Sequence, residues 1–234
     1  MENIILLHGA LGAASSMYSL SRALDKIAVV HVLDFSGHGE SRWPEEAFSL
    51  SLFENDVLRF MKARDIESAY FFGYSLGGYV ALKLAQNHAQ RVKGIITLAT
   101  KFDWTEVICK RESSMLDVDL LEEKAPRFIK SLIKIHQRND WKIVVAATQE
   151  FLAEMHLQRF SASDFSTITT PVCLMVGDSD KMVSIQETMN AWHQLPTSEF
   201  AVLPGCNHPL EQVNKELLRI LVERFLGEFP EIAL

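Results

Sequence analysis

The stretch that decides the fold is Ala69-Tyr70-Phe71-Phe72-Gly73-Tyr74-Ser75-Leu76-Gly77-Gly78, an apolar run that ends in Gly-x-Ser-x-Gly. The apolar part predicts a buried strand, and the Ala- and Leu-rich segment from 76 to 88 predicts a helix. Glycines on both sides of Ser75 permit a turn tight enough to project its hydroxyl from the sheet at the helix N-terminus. The pentapeptide alone is a common chance pattern, so its position between strand and helix is what makes Ser75 a candidate nucleophile.

Further apolar runs and helical repeats surround this stretch. The runs predict strands at 3–8, 28–35, 92–99, 171–176 and 200–203, and the 3.6-residue spacing predicts helices at 50–61, 186–195 and 210–229. This alternation predicts one α/β domain over residues 1–234, with a mostly parallel sheet of about six strands flanked by helices. Ligands of such sheets bind at the carboxyl ends of the strands.

One segment, 102–165, interrupts the alternation. It shows no strand pattern and two or three helical ones, such as 126–136 and 142–156. Its length is far beyond the ~2–6 residues usual for a loop between a strand and a helix. We therefore expect a helical cap inserted over the strand ends.

A serine nucleophile needs a base and a carboxylate that orients the base. His208 follows the last predicted strand in Leu203-Pro204-Gly205-Cys206-Asn207-His208, at the same sheet edge as Ser75, and is the predicted base. The alternative is a loop histidine exposed to water. Asp180 and Asp178 both follow the preceding strand; Asp180, three residues past Gly177, is the favoured acid, and Asp178 would then serve the loop.

An oxyanion hole requires preorganised backbone N–H donors. Leu76, the residue after the nucleophile, supplies one. The loop after the first strand is expected to supply the other from Ala10, with Leu11 as the alternative donor. The order Ser75, Asp180, His208 along the chain is that of α/β-hydrolases.

These residues resemble the α/β-hydrolase superfamily over nearly the whole chain. The matching segments are His8-Gly9-x-x-Gly12, Asp34 to Ser41 with its Gly-His-Gly-x-Ser, the elbow at Ser75, Gly177-x-x-Asp180 and Gly205-x-x-His208. The resemblance implies a structural role for His38 and a cap that shapes the substrate pocket. The strand leading to His8 starts at Asn3, so we expect the fold without its usual N-terminal β-hairpin. Tyr79 stands where menaquinone-pathway lyases, a similar subgroup, typically have an arginine, which weakens the case for a polycarboxylate substrate.

Trp104, Leu11 and Tyr79 are the predicted pocket residues. An apolar, aromatic lining favours acyl or aromatic esters. Other aromatic or apolar cap residues, which more often pack a cap than contact substrate, are Phe102, Phe128, Trp141 and Met155. The segment 126–136 is amphipathic, which fits a plain cap helix better than an interface-seeking lid.

Composition excludes several classes of partner. The net charge is −7 and no basic block is present, so nucleic acid is a poor partner. No run approaches the roughly 18 apolar residues of a membrane span, so a membrane partner is not expected. No signal peptide is visible, so we expect a cytoplasmic location. Three scattered cysteines, Cys109, Cys173 and Cys206, predict packing thiols rather than a disulfide or metal site. No cofactor is implied, and the oligomeric state stays open.

Three functions are compatible with these features. The favoured one is a serine hydrolase that cleaves a small carboxylic ester, or a similar acyl substrate, through an acyl-enzyme on Ser75. The same triad could instead serve C–C bond hydrolysis or a lyase reaction. The third, of another class, is a non-catalytic small-molecule receptor on this fold.

Overall fold

A single parallel sheet forms the centre of the molecule. The computed structural model describes residues 1–227, and within them six strands are ordered β2-β1-β3-β4-β5-β6 with every neighbouring pair parallel. The strands are β1 Asn3–Leu7, β2 Val29–Val32, β3 Ala69–Tyr74, β4 Val92–Leu98, β5 Val172–Gly177 and β6 Ser198–Leu203. Ile4 to Leu7 of β1 are fully buried, as expected of a strand covered on both faces. The predicted α/β architecture of about six parallel strands is confirmed.

The strand order reverses between β1 and β3. From β1 the chain runs outward to β2, crosses back to β3 on the other side of β1, and continues through β4 and β5 to β6. A reversal of this kind leaves a crevice beyond the carboxyl ends of the two strands. The loop 8–12 leaves β1 there, and Ser75 leaves β3 beside it.

Helices cover both faces of the sheet. Within residues 1–227 they are α1 Ala14–Leu24, α2 Leu50–Lys62, α3 Leu76–Asn87, α4 Glu106–Ser114, α5 Val118–Lys124, α6 Pro126–Ile135, α7 Trp141–Ala153, α8 Ala162–Thr167, α9 Ile185–Trp192 and α10 Lys215–Phe225. Met17 of α1 and Leu218 of α10 belong to one buried cluster. Phe53 of α2 and Val80 of α3 belong to the cluster on the other face. Each such side chain contributes about 1.5–3 kcal/mol through burial.

Five helices, α4 to α8, lie between β4 and β5. The sequence pattern indicated only two or three there. The extra breaks follow from polar residues whose side chains accept a hydrogen bond from the first turn of the next helix. These capping residues are Thr105, Asp117, Asp140 and Ser161.

Two further differences from the predicted elements concern the ends of the chain. Helix α1 was not among the predicted helices, since four of its 11 residues are serine. The predicted helix 210–229 is divided: Leu210–Gln212 form one 3₁₀ turn, and Asn214 caps the separate helix α10 by accepting from the N–H groups of Glu216 and Leu217. Residues 228 and 229 lie outside the described part of the chain. Among residues 1–227, no helix has the length and apolarity needed to cross a membrane.

Candidate active site

Ser75 occupies a strained turn between β3 and α3. Its backbone has φ 51° and ψ −117°, a conformation that costs a non-glycine residue on the order of 1–3 kcal/mol. The turn is held by the Ser75 N–H, which donates to the carbonyl of Leu98 at 2.8 Å, and by the hydroxyl of Thr100, which donates to the Ser75 carbonyl at 2.9 Å. A Cβ on Gly77 would lie 2.3 Å from the carbonyl oxygen of Leu7, so that position cannot carry a side chain.

His208 and Asp180 form a hydrogen-bonded pair. His208 Nδ1 donates to Asp180 Oδ2 at 2.8 Å, and the Asp180 side chain is fully buried. The other carboxylate oxygen accepts from the N–H groups of Met182 and Val183 at 2.8 and 2.9 Å. Burial opposes the charged carboxylate, but the hydrogen bonds from His208 and the two N–H groups outweigh it and lower the pKa of Asp180. The carboxylate is therefore ionised at neutral pH and accepts the Nδ1 proton of His208.

Asp178 has a different set of contacts. Its Oδ1 accepts from the N–H of Cys206 at 3.2 Å and from the hydroxyl of Ser179 at 3.0 Å. These bonds tie together the loops after β5 and β6. Of the two candidate acids, the structure brings Asp180 to His208 and leaves Asp178 in the loop.

Ser75 and His208 line the same pocket, which has a volume of about 60 Å³. No hydrogen bond joins their side chains among residues 1–227; such contacts are often long before substrate binds. The remaining lining residues are Ala10, Leu76, Tyr79, Lys101, Trp104, Glu112, Leu152, Met182 and Val183. Two larger grooves, of about 330 and 350 Å³, include neither Ser75 nor His208.

The loop 8–12 lies next to the nucleophile. Ala10 and Leu76, the residues predicted to donate to the oxyanion, both line the pocket with Ser75. A Cβ on Gly9 would lie 3.2 Å from Cβ of Ser75, so the loop approaches the nucleophile closely. His8 fixes the start of the loop: its Nδ1 donates to the Gly9 carbonyl at 2.8 Å, and its Nε2 accepts from a backbone N–H at 3.2 Å. Burial lowers the pKa of His8 to about 4, so it is neutral and structural.

Leu11 does not line the pocket, although the sequence analysis placed it there. Its backbone has φ 57°, and its buried side chain packs against Leu132, Val144 and other residues of α5 to α7. His136, at the end of α6, donates from Nε2 to the Leu11 carbonyl at 3.0 Å. Helices of the 102–165 segment thus hold this loop from outside the pocket.

The other two predicted pocket residues are part of the lining. Trp104 and Tyr79 line the pocket; the Tyr79 hydroxyl accepts from the N–H of Phe160 at 2.8 Å. His38, given a structural role, is buried and stacks on Phe48 at 5.0 Å between ring centres. Among the other aromatic or apolar candidates, Phe128 is exposed, Met155 is buried in the core, Trp141 packs beside the Leu132 cluster and Phe102 lines a surface groove.

Lys101 and Glu112 are pocket residues that the sequence analysis missed. Lys101 follows β4 closely, and the rule that ligand-binding residues follow strand ends could have identified it. Glu112 lies on α4, and nothing in its local sequence indicates that it faces the pocket. Among residues 1–227 no group of three or more His, Cys, Asp or Glu side chains could hold a metal ion.

Comparisons with known proteins agree with this architecture. A family model described as the alpha/beta hydrolase fold matches residues 2–117. The chain is 35% identical over 95 residues to the dihydrolipoyllysine-residue acetyltransferase component of the acetoin cleaving system of Cupriavidus necator, a match that covers 40% of this chain and 25% of that protein. It is 26% identical to the pimeloyl-[acyl-carrier protein] methyl ester esterase of Aeromonas hydrophila, covering 96% of this chain and 95% of that enzyme.

A solved structure extends the likeness to the whole fold. The 2-hydroxy-6-oxo-6-phenylhexa-2,4-dienoate hydrolase of Rhodococcus sp. strain RHA1 superposes with a TM-score of 0.80 at 17% identity, covering 97% of this chain and 90% of that one. The parallel sheet and the serine turn at the strand-order reversal define a class of α/β proteins with a nucleophile elbow. Residues 2–117 thus match the α/β-hydrolase family model, and the described residues have the α/β-hydrolase fold.

Proposed function

We propose that this protein is a serine hydrolase that cleaves small carboxylic esters through an acyl-enzyme on Ser75. The Ser75 hydroxyl attacks the ester carbonyl while His208 Nε2 takes its proton. The N–H groups of Ala10 and Leu76 stabilise the oxyanion. His208 then protonates the departing alcohol, and a water molecule, activated by the same imidazole, releases the acid and restores Ser75.

The observation that carries the proposal is the orientation of His208. With Nδ1 bound to Asp180 at 2.8 Å, the proton sits on Nδ1 and the lone pair on Nε2 is available to a hydroxyl in the pocket that His208 shares with Ser75. The buried carboxylate also stabilises the imidazolium that forms when the proton is transferred. A histidine exposed at a loop would have neither feature.

The segment 102–165 is proposed to act as the cap of this site. Trp104, Glu112 and Leu152 come from it and line the pocket together with Ser75 and His208. Because the pocket is mostly apolar and holds on the order of five water-sized groups, the acyl group of the substrate is short. The similarity to a methyl ester esterase over nearly the full length supports an ester substrate.

A fluorophosphonate probe tests the assignment of the nucleophile. It should label the wild-type protein at Ser75, and Ser75→Ala should abolish labelling. Ser51→Ala, an exposed serine on α2, is the matched control and should label normally. Equal labelling of Ser75→Ala and wild type would show that the assignment is wrong.

A substrate panel tests the reaction. Short methyl and p-nitrophenyl esters should be hydrolysed at rates that Ser75→Ala abolishes. Negligible turnover of all esters, together with activity on a dienoic or diketone compound, would replace ester hydrolysis by C–C cleavage. Tight binding of a small molecule with neither labelling nor turnover would indicate a receptor.

A further inference from the structure

Lys101 is a lining residue of the Ser75 pocket, and its side chain is buried. Its side chain is only 9% exposed, and Nζ donates to the carbonyl of Met182 at 2.9 Å. Nζ also lies 3.7 Å from Oε1 of Glu112 and 3.8 Å from Oε2 of Glu187. Met182 and Glu112 are themselves pocket residues, so the charge lies between two parts of the lining.

The hydrogen-bonding capacity of this ammonium is not filled. It has three N–H donors, and among residues 1–227 only the Met182 carbonyl accepts from it within hydrogen-bonding distance. Glu112 Oε1 is occupied by Arg111, which donates to it at 2.6 and 3.2 Å. Glu187 likewise accepts from the backbone N–H groups of Phe102 and Ser184. A buried donor without a partner is costly, so an acceptor that enters the pocket is stabilised there.

The local charge balance selects the kind of acceptor. Lys101 and Arg111 carry two positive charges, and Glu112 and Glu187 carry two negative ones, so the cluster is neutral. A substrate carboxylate would bring an uncompensated negative charge next to Glu112 into a mostly apolar pocket, which is unfavourable. A ketone or hydroxyl oxygen accepts the hydrogen bond without that cost.

We propose that Lys101 determines acyl-group specificity by donating a hydrogen bond to a neutral oxygen of the substrate. The preferred substrates are then short esters whose acyl group carries a ketone or hydroxyl, such as 3-oxoacyl or 3-hydroxyacyl esters. This inference rests on the proposed ester hydrolysis at Ser75, and Lys101 is assigned no part in the bond-breaking steps.

The test compares three methyl esters of similar size by pH-stat titration: methyl 3-oxobutanoate, methyl butanoate and the anionic monomethyl malonate. The variant is Lys101→Met with Glu112→Gln, which removes one charge of each sign and keeps the cluster neutral. Lys110→Met, at an exposed lysine of α4, is the control. The readout is the ratio of kcat/KM for the oxo ester to that for butanoate, compared between proteins so that intrinsic ester reactivity cancels.

We expect this ratio to fall about tenfold or more in the double variant, because one hydrogen bond to a charged donor is lost. The ratio should stay unchanged in Lys110→Met. A merely structural role would lower both kcat/KM values together and leave the ratio constant, which would overturn the proposal. A wild-type preference for monomethyl malonate would overturn it as well, because Lys101 would then bind anions.

Binding separates this proposal from ester hydrolysis itself. In the Ser75→Ala background, ligand-observed NMR should show tighter binding of methyl 3-oxobutanoate than of methyl butanoate, and the Lys101→Met, Glu112→Gln changes should remove the difference. If the wild type hydrolyses no ester, the proposed function fails and this binding difference alone decides the role of Lys101. Equal binding of the two esters to Ser75→Ala would refute it.

Discussion

Replacing Asp180 with asparagine tests how the charge next to His208 contributes to activity. Asp180→Asn keeps the shape of the side chain and removes the negative charge that lies 2.8 Å from Nδ1. An imidazolium and a carboxylate about 4 Å apart, centre to centre, interact by about 4 kcal/mol at the effective dielectric constant near 20 that suits protein sites. Because that interaction develops as His208 takes the proton, its loss corresponds to about a thousandfold in kcat.

Asp178→Asn is the matched control. Its carboxylate binds the N–H of Cys206 and the hydroxyl of Ser179, away from the imidazole, so kcat should change by less than about threefold. The assay is steady-state hydrolysis of a p-nitrophenyl ester at pH 7.5, with circular dichroism to confirm that both variants fold. A loss below tenfold in Asp180→Asn, or an equal loss in Asp178→Asn, would refute the assignment of the acid.

The remaining predictions concern backbone strain and the buried histidines. Ser75→Gly should raise the free energy of unfolding by about 1 kcal/mol relative to Ser75→Ala, because glycine adopts φ 51° without strain; denaturant titration measures it, and equal stabilities would contradict it. Burial holds the pKa of His8 at about 4 in the folded protein, below the ordinary value of 6.5 in the unfolded chain. The free energy of unfolding should therefore fall by up to about 3 kcal/mol as the pH drops from 6.5 to 4, because only the unfolded chain then binds the proton. Burial also lowers the pKa values of His38 and His136, so His8→Gln should reduce this loss of stability without abolishing it. A loss equal to that of the wild type would refute the role of His8. His136→Gln keeps a donor near the Leu11 carbonyl, whereas His136→Asn keeps only an acceptor near the Gly39 N–H. Because the asparagine variant loses the hydrogen bond to Leu11, kcat should fall about fivefold in that variant only. Equal values of kcat would show that the Leu11 contact is unimportant.

The sheet and the serine turn could be predicted from the sequence because their signals are local. A strand buried on both faces must be continuously apolar. The turn must have glycine at 77, because a Cβ there would lie 2.3 Å from the Leu7 carbonyl oxygen. The pairing of His208 with a carboxylate was predicted from the position of Asp180 after a strand. The same rule extended to Lys101 would have added the pocket cation.

The placement of Leu11 and Glu112 could not be predicted in this way. Leu11 leaves the pocket because helices α5 to α7 offer it an apolar site among Leu132 and Val144. Glu112 reaches the pocket because α4 packs against α7 with that face inward. Both outcomes depend on tertiary packing between segments far apart in sequence, for which the residues themselves give no periodic signal.

The helical segment between β4 and β5 reaches the site in two separate ways. Glu112 helps to fix the charge balance around Lys101, and His136 holds the carbonyl of Leu11, one residue from the Ala10 N–H. In the proposed mechanism, selection of the acyl group and the geometry of the oxyanion donors therefore both depend on how the same set of helices packs onto the sheet. Since loops and insertions vary between proteins of one fold more readily than the sheet does, a change in this segment can alter substrate preference while leaving the turn at Ser75 and the His208–Asp180 pair intact.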